Sequence, residues 1–161
     1  MSERLLVAVL GNRHSGKSKT WRTLFGHKVS IGYRKLPLYY NDCTTVFVIP
    51  SSPQEKEIPV NKLLGKERPR IVLCAIQYSL DAHNTIDFFV QNGYTILLHW
   101  LNPGYNDKVT HPYDQFGLIS RVLGNNSLVG IRSGKGNPYS RCANLKDFIY
   151  GWAMRRSLIN K

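Results

Sequence analysis

The chain has 161 residues, the size of one ordinary domain, which is long enough for a real core and too short for a motor with appended domains. A formal charge of +12 and a pI of about 9.9 point to a polyanionic partner. Cys43, Cys74 and Cys142 are odd in number, far apart and without C-x-x-C spacing, so they indicate neither a disulfide framework nor a zinc site and read as buried free thiols. No apolar run approaches the roughly 18 residues of a spanning helix, the first is shorter than a signal-peptide core, and position 2 is not glycine. The expectation is a soluble cytoplasmic protein, one domain over 1–161, with no membrane attachment.

In chain order, Leu5 to Leu10 is a six-residue apolar run of the buried parallel-strand type, and Lys17 to Phe25 can be helical. Between them stands Gly11-Asn12-Arg13-His14-Ser15-Gly16-Lys17-Ser18, which satisfies G-x-x-x-x-G-K-[ST] in full. Two glycines let the backbone curl so that successive N–H groups point at an anion, and the following helix adds its positive dipole end. In such a loop Lys17 reaches the β- and γ-phosphates, and the Ser18 hydroxyl offers a hard oxygen ligand to Mg²⁺. Lys19 follows directly. On residues 5 to 25 the chain resembles the P-loop NTPase superfamily. That resemblance implies a three-layer α/β fold with a mostly parallel sheet between helices, and binding of ATP or GTP with magnesium.

Further on, Val29 to Tyr33 and Thr44 to Pro50 read as strands, with Leu36 to Asn41 as a connection or edge hairpin around Pro37. Arg70 to Gln77 is a second clear buried strand, Leu80 to Asn92 a helix ended by Gly93, and Thr95 to Trp100 a third strand. Tyr113 to Leu123 suits a helix closed by Gly124, Leu128 to Arg132 a fourth core strand, and Leu145 to Leu158 an amphipathic helix. Strands alternating with helices imply a parallel sheet. The loops after Leu10, Gln77, Trp100 and Arg132 are therefore expected on one rim, where ligands bind.

The superfamily resemblance implies an acidic residue at the end of a neighbouring apolar strand, holding magnesium; Gln77 occupies that place instead. None of the ten acidic residues follows directly on a strong strand. Two readings stand: Asp81, Asp42 or Asp107 completes the metal site from a loop, or the site binds nucleotide with slow or absent hydrolysis. Asp81 also precedes a helix, where a capping carboxylate is the plainer role. Thr44 and Thr45 are candidates for the switch threonine of the superfamily's GTPases, against ordinary strand threonines. The Asn/Thr-Lys-x-Asp element of those GTPases is missing, since Asn106-Asp107-Lys108-Val109 does not match, which favours ATP. Arg132 to Arg141 is rich in turn formers and carries three cations; it reads as a mobile exposed lid with Arg132 or Arg141 as a finger, or as a plain connection. Tyr105 either stacks on a base or marks a turn, and of His99 and Trp100 one belongs to the core.

Charge is uneven: residues 71 to 107 hold no lysine or arginine and three aspartates, a net of −3, so the remainder carries +15. Cations cluster at Arg13 to Lys28, Arg34 and Lys35, Lys62 to Arg70, and Arg155 to Lys161, near Tyr33, Tyr39 and Tyr40, a pattern that suits nucleic acid or an acidic protein partner. The reading is an ATP-binding P-loop protein, a small Mg-dependent ATPase or nucleotide-gated subunit acting with a protein or nucleic-acid partner. The alternatives are a small kinase or GTPase-like switch, and a non-hydrolysing nucleotide-bound module that binds nucleic acid.

Overall fold

Leu5 to Leu10 are each fully buried, which places the first strand at the middle of the molecule rather than at an edge. A computed structural model describes residues 3–161. In chain order its elements are β1 (Arg4–Gly11), α1 (Lys17–Phe25), β2 (Gly32–Pro37), β3 (Cys43–Ile49), α2 (Pro53–Lys56) and α3 (Val60–Leu64). Then come β4 (Ile71–Gln77), α4 (Ala82–Gln91), β5 (Tyr94–Leu101), α5 (Leu118–Leu123), β6 (Ser127–Arg132) and α6 (Tyr139–Arg155).

The strands form one sheet in the order β2-β3-β4-β1-β5-β6, with only the β2–β3 pair antiparallel. Alternation along the strands divides the core in two. Leu5, Val7 and Val9 of β1 face α1 and α6, meeting Trp21, Leu24, Leu145 and Ile149. Leu6, Ala8 and Leu10 face α3, α4 and α5, meeting Leu64, Ile86, Phe89 and Val122. The result is a three-layer α/β arrangement with a mostly parallel sheet, as expected. Full burial of each large aliphatic contributes about 1.5–3 kcal/mol, so these two clusters dominate the stability.

Several boundaries differ from the sequence reading. The first edge strand is Gly32–Pro37 rather than Val29 to Tyr33, and Pro37 ends it at an edge where no ladder donor is needed. The turn runs instead through Leu38 to Asp42, closed by Leu38 N–H to the Asp42 carbonyl at 2.8 Å. The helix expected from Tyr113 starts only at Leu118, because Asp114 turns back to accept from the Phe116 and Ile119 amides. The last helix begins at Tyr139, ahead of the expected Leu145, where Asn137 Oδ1 accepts from the Tyr139 amide. Helices α2 and α3 were not anticipated.

Candidate functional site

The four parallel strand ends do share one rim. Tyr78 N–H bonds the Gly11 carbonyl (2.8 Å), Asn102 N–H the Arg132 carbonyl (2.8 Å), and Tyr105 N–H the Ser15 carbonyl (2.9 Å). The loop after β1 turns through His14 (φ 59°) and Gly16 (φ 107°), both left-handed, and delivers the chain into α1. Gly16 supplies at low cost a conformation that a side chain resists. Ser15 is the loop's buried pivot, 1% exposed. Three glycines pack on it: a Cβ at Gly11 would lie 2.2 Å from its hydroxyl, one at Gly104 2.6 Å from its Cβ, and one at Gly134 2.2 Å from its carbonyl oxygen. The segments after β5 and β6 thus clamp the loop from behind.

Lys17 is 6% exposed and folds back over the loop, donating to the carbonyls of Gly11 (3.1 Å) and Asn12 (2.8 Å). Its Nζ lies 3.5 Å from a carboxylate oxygen of Glu55. Burial lowers the Lys17 pKa, and Glu55 and then Asp107 act in the opposite sense. In front of the loop opens a cleft of about 520 Å³ lined by the loop, Lys19 and Arg22 on one wall and by Pro50, Ser51 and Glu55 on the other. Glu55 is the one carboxylate among its lining residues. Ser18, at the first turn of α1, is exposed to this cleft together with His14 and Lys19. The Lys19 ammonium stands 5.5 Å above the Tyr105 ring.

Glu55 was not a candidate in the sequence reading. It sits on α2, one turn beyond the end of β3, where the buried Ser52 caps the helix: Ser52 Oγ accepts from the Glu55 amide (3.1 Å) and donates to its carboxylate (2.8 Å). The Ser-Pro-Gln-Glu tetrapeptide has the spacing of a capping box with proline at the first helical position, a signal legible in the sequence. The three expected carboxylates fall elsewhere. Asp42 lies at the opposite, amino edge of the sheet, bound to Tyr150 Oη (2.8 Å) and Lys161 Nζ (3.0 Å), which removes it from the metal shortlist. Thr44 and Thr45 share that edge, and Thr44 is tied to the Leu158 carbonyl, so neither stands near the loop. Asp81 is exposed, makes no capping bond, and lines a separate cleft with Gln54 and Glu57. Asp107 does reach the loop, but from behind, holding Asn12 Nδ2 (3.1 Å) and the Gly104 amide (2.8 Å).

The arginines are corrected as well. Arg132 folds onto its own edge strand, donating to the Ile131 carbonyl over Gly130. Arg141 is 4% exposed inside α6, with its guanidinium on Thr20 Oγ1 (3.2 Å), the Ser133 carbonyl (3.3 Å) and the Gly16 carbonyl (3.4 Å). It braces the loop from the core side. Both His99 and Trp100 are buried.

No protein-family model matches the chain, and no curated protein or solved structure matches it either. What the geometry defines is an α/β chain with a mostly parallel sheet and a glycine-bounded loop at its carboxyl rim. No helix among the described residues is long and apolar enough to cross a membrane.

Proposed function

We propose that the chain binds ATP with Mg²⁺ through Gly11 to Ser18 and hydrolyses it, as a small ATPase or a nucleotide-gated subunit. The observation that supports this most is the pairing of Lys17 with Glu55 across a cleft open to the first turn of α1. A buried ammonium held by two loop carbonyls would meet phosphoryl oxygens, and the amides of Gly16, Lys17 and Ser18 and the helix dipole would add positive potential. Ser18 offers a hydroxyl to a hard cation, and magnesium bound there together with phosphate oxygens would neutralise charge on the β- and γ-phosphates.

Bound triphosphate takes Lys17 as its counter-charge and releases Glu55 to the water facing the γ-phosphorus. Attack forms the new P–O bond as the β–γ bridge bond breaks, with the water proton passing to Glu55 and the electron pair leaving on ADP. Arg141 acts by holding Gly16, not as a finger, which leaves transition-state charge to Lys17, the loop amides and a cation from a partner. Past Lys19 and Thr23 the cleft continues into a groove bordered by Tyr105, Asn137, Pro138 and Tyr139. Its exposed tyrosines suit a stacked base, and no carboxylate among those lining residues faces a guanine edge, in keeping with ATP.

Cleft room beside Arg22 supports a second reading, transfer of the γ-phosphoryl to an acceptor. Nucleotide binding and product analysis test both. Lys17→Ala is expected to abolish tight ATP binding in a folded protein, and Glu55→Gln to keep binding while slowing turnover by about 10²–10⁴-fold. Free phosphate equal to ADP marks hydrolysis, and ADP in excess of phosphate marks transfer. Unchanged ATP affinity in folded Lys17→Ala would remove the reading altogether.

A further inference from the structure

Two basic segments that are remote in sequence, and the segment after α6, meet at the amino edge of the sheet, about one strand length or 20 Å from the Gly11–Ser18 loop. The hairpin brings Tyr33 and Lys35, register-paired with Phe47 and Thr45. By alternation these four share one sheet face, and the Tyr33 ring stands edge-on to Phe47 at 5.1 Å. The approach to β4 brings Arg68 and Arg70, and the segment after α6 brings Ser157, Leu158 and Asn160 as the far wall of a groove of about 390 Å³. That wall is fixed by a two-bond bridge between Cys43 and Asn160.

The outer part of this face is open among the described residues. Tyr33 is 44% exposed, and Lys35 and Thr45 are exposed too. Among the described residues Lys35 makes no ion pair or side-chain hydrogen bond, and Arg70 commits only Nε, to the Glu3 carbonyl, leaving its two terminal nitrogens. The carboxylates at this edge are engaged, Asp42 with Lys161 among them. Glu67 accepts from Tyr33 Oη at 3.1 Å, and Glu3 is paired with Arg156. A flat strand surface that offers one aromatic ring flanked by uncommitted cations matches a chain of phosphates with unpaired bases, because stacking needs a free π-face and the cations need a regular anionic backbone.

We propose that this amino-edge face binds single-stranded nucleic acid, with a base stacked on Tyr33 and the backbone held by Lys35 and Arg70. Duplexes hide the base faces that Tyr33 requires. The site is separate from the phosphate cleft and does not depend on nucleotide.

Fluorescence anisotropy with labelled oligothymidylate and oligouridylate, at stepped salt, tests it. The Lys35→Glu/Arg70→Glu pair is expected to weaken both strands about tenfold or more and to flatten the salt dependence. The charge-matched pair Lys62→Glu/Lys108→Glu, at exposed cations elsewhere, is expected to change affinity less than about twofold. Tyr33→Ala should cost about five- to a hundredfold with an unchanged salt slope, and Tyr33→Phe should recover it. A preference for the uridine strand assigns RNA, and equal binding assigns either strand type. Absence of binding by the parent protein, equal losses in the two charge-reversed pairs, or full affinity in Tyr33→Ala would overturn the proposal.

Discussion

Two glycines of one loop separate packing from backbone strain. A methyl group at Gly134 would meet the Ser15 carbonyl oxygen at 2.2 Å, the Tyr105 nitrogen at 3.0 Å and Gly104 Cα at 3.1 Å, all main-chain atoms that cannot swing aside. Gly136, two residues on, has φ +73° and nothing within 4 Å of an added Cβ. Gly134→Ala is therefore expected to cost about 1–3 kcal/mol and to weaken triphosphate binding, because Ser15 moves with the clash. Gly136→Ala is expected to cost about 1 kcal/mol through its left-handed backbone and to weaken binding less than Gly134→Ala does, since Gly136 borders only the groove past Thr23. Thermal unfolding and nucleotide titration of the two variants check the contrast; equal effects on binding would show that Ser15 is not the shared pivot.

At the scale of elements, the short helix α2 carries the carboxylate of the cleft and is held mainly by its first turn. Ser52 is fully buried and bonds both the amide and the carboxylate of Glu55. Ser52→Ala is expected to cost about 1 kcal/mol of stability. Its effect on turnover should be the larger one, since Glu55 loses the contact that aims it. Unfolding in urea set beside steady-state turnover tells the two apart, and turnover that falls no further than stability would deny the cap a positioning role. The same region shows where sequence legibility stops. The loop from Gly11 to Ser18 and the central strands could be read directly, because periodicity and glycine spacing are local. Glu55 also had a local signal, the Ser-Pro-x-Glu box, but its meeting with Lys17 needs β3 to lie one strand away from β1 with β4 between. That order is a tertiary fact. Asp42 and Thr44 follow the first helix in sequence, where the superfamily's GTPases keep a switch threonine, but β3 runs parallel to β4 and β1, so residues at its start lie at the far edge. Arg141, read as an exposed finger in a turn-rich segment, is buried because α6 begins two residues before it and turns it toward Thr20.

The whole molecule carries the Gly11–Ser18 loop at one end of the sheet and the cations of β2 and Arg70 at the other, with +12 to balance. Such a charge opposes compaction by self-repulsion, so groups that stay neutral inside it matter to global stability. His99, in the middle of β5, is 1% exposed; its Nε2 meets Asn144 Oδ1 at 3.0 Å and its Nδ1 has no partner among the described residues. Burial, with Arg132 and Arg141 as neighbouring cations, pulls its pKa from 6.5 down to about 4, against the Asn144 contact. Between those values the unfolded chain takes up a proton that the folded chain refuses. Stability is therefore intact above the unfolded pKa and is lost as pH falls toward the folded one, by about 1.4 kcal/mol per unit and about 3 kcal/mol over the window. Urea unfolding at about pH 7 and about pH 5 should show a loss near 2 kcal/mol in the parent protein that is missing from His99→Gln. Carboxylates titrate alike in both proteins and drop out of the difference. Equal losses in the two would mean that His99 already carries its proton in the fold, beside two arginines, and that the β5–α6 packing is wetter than its burial implies.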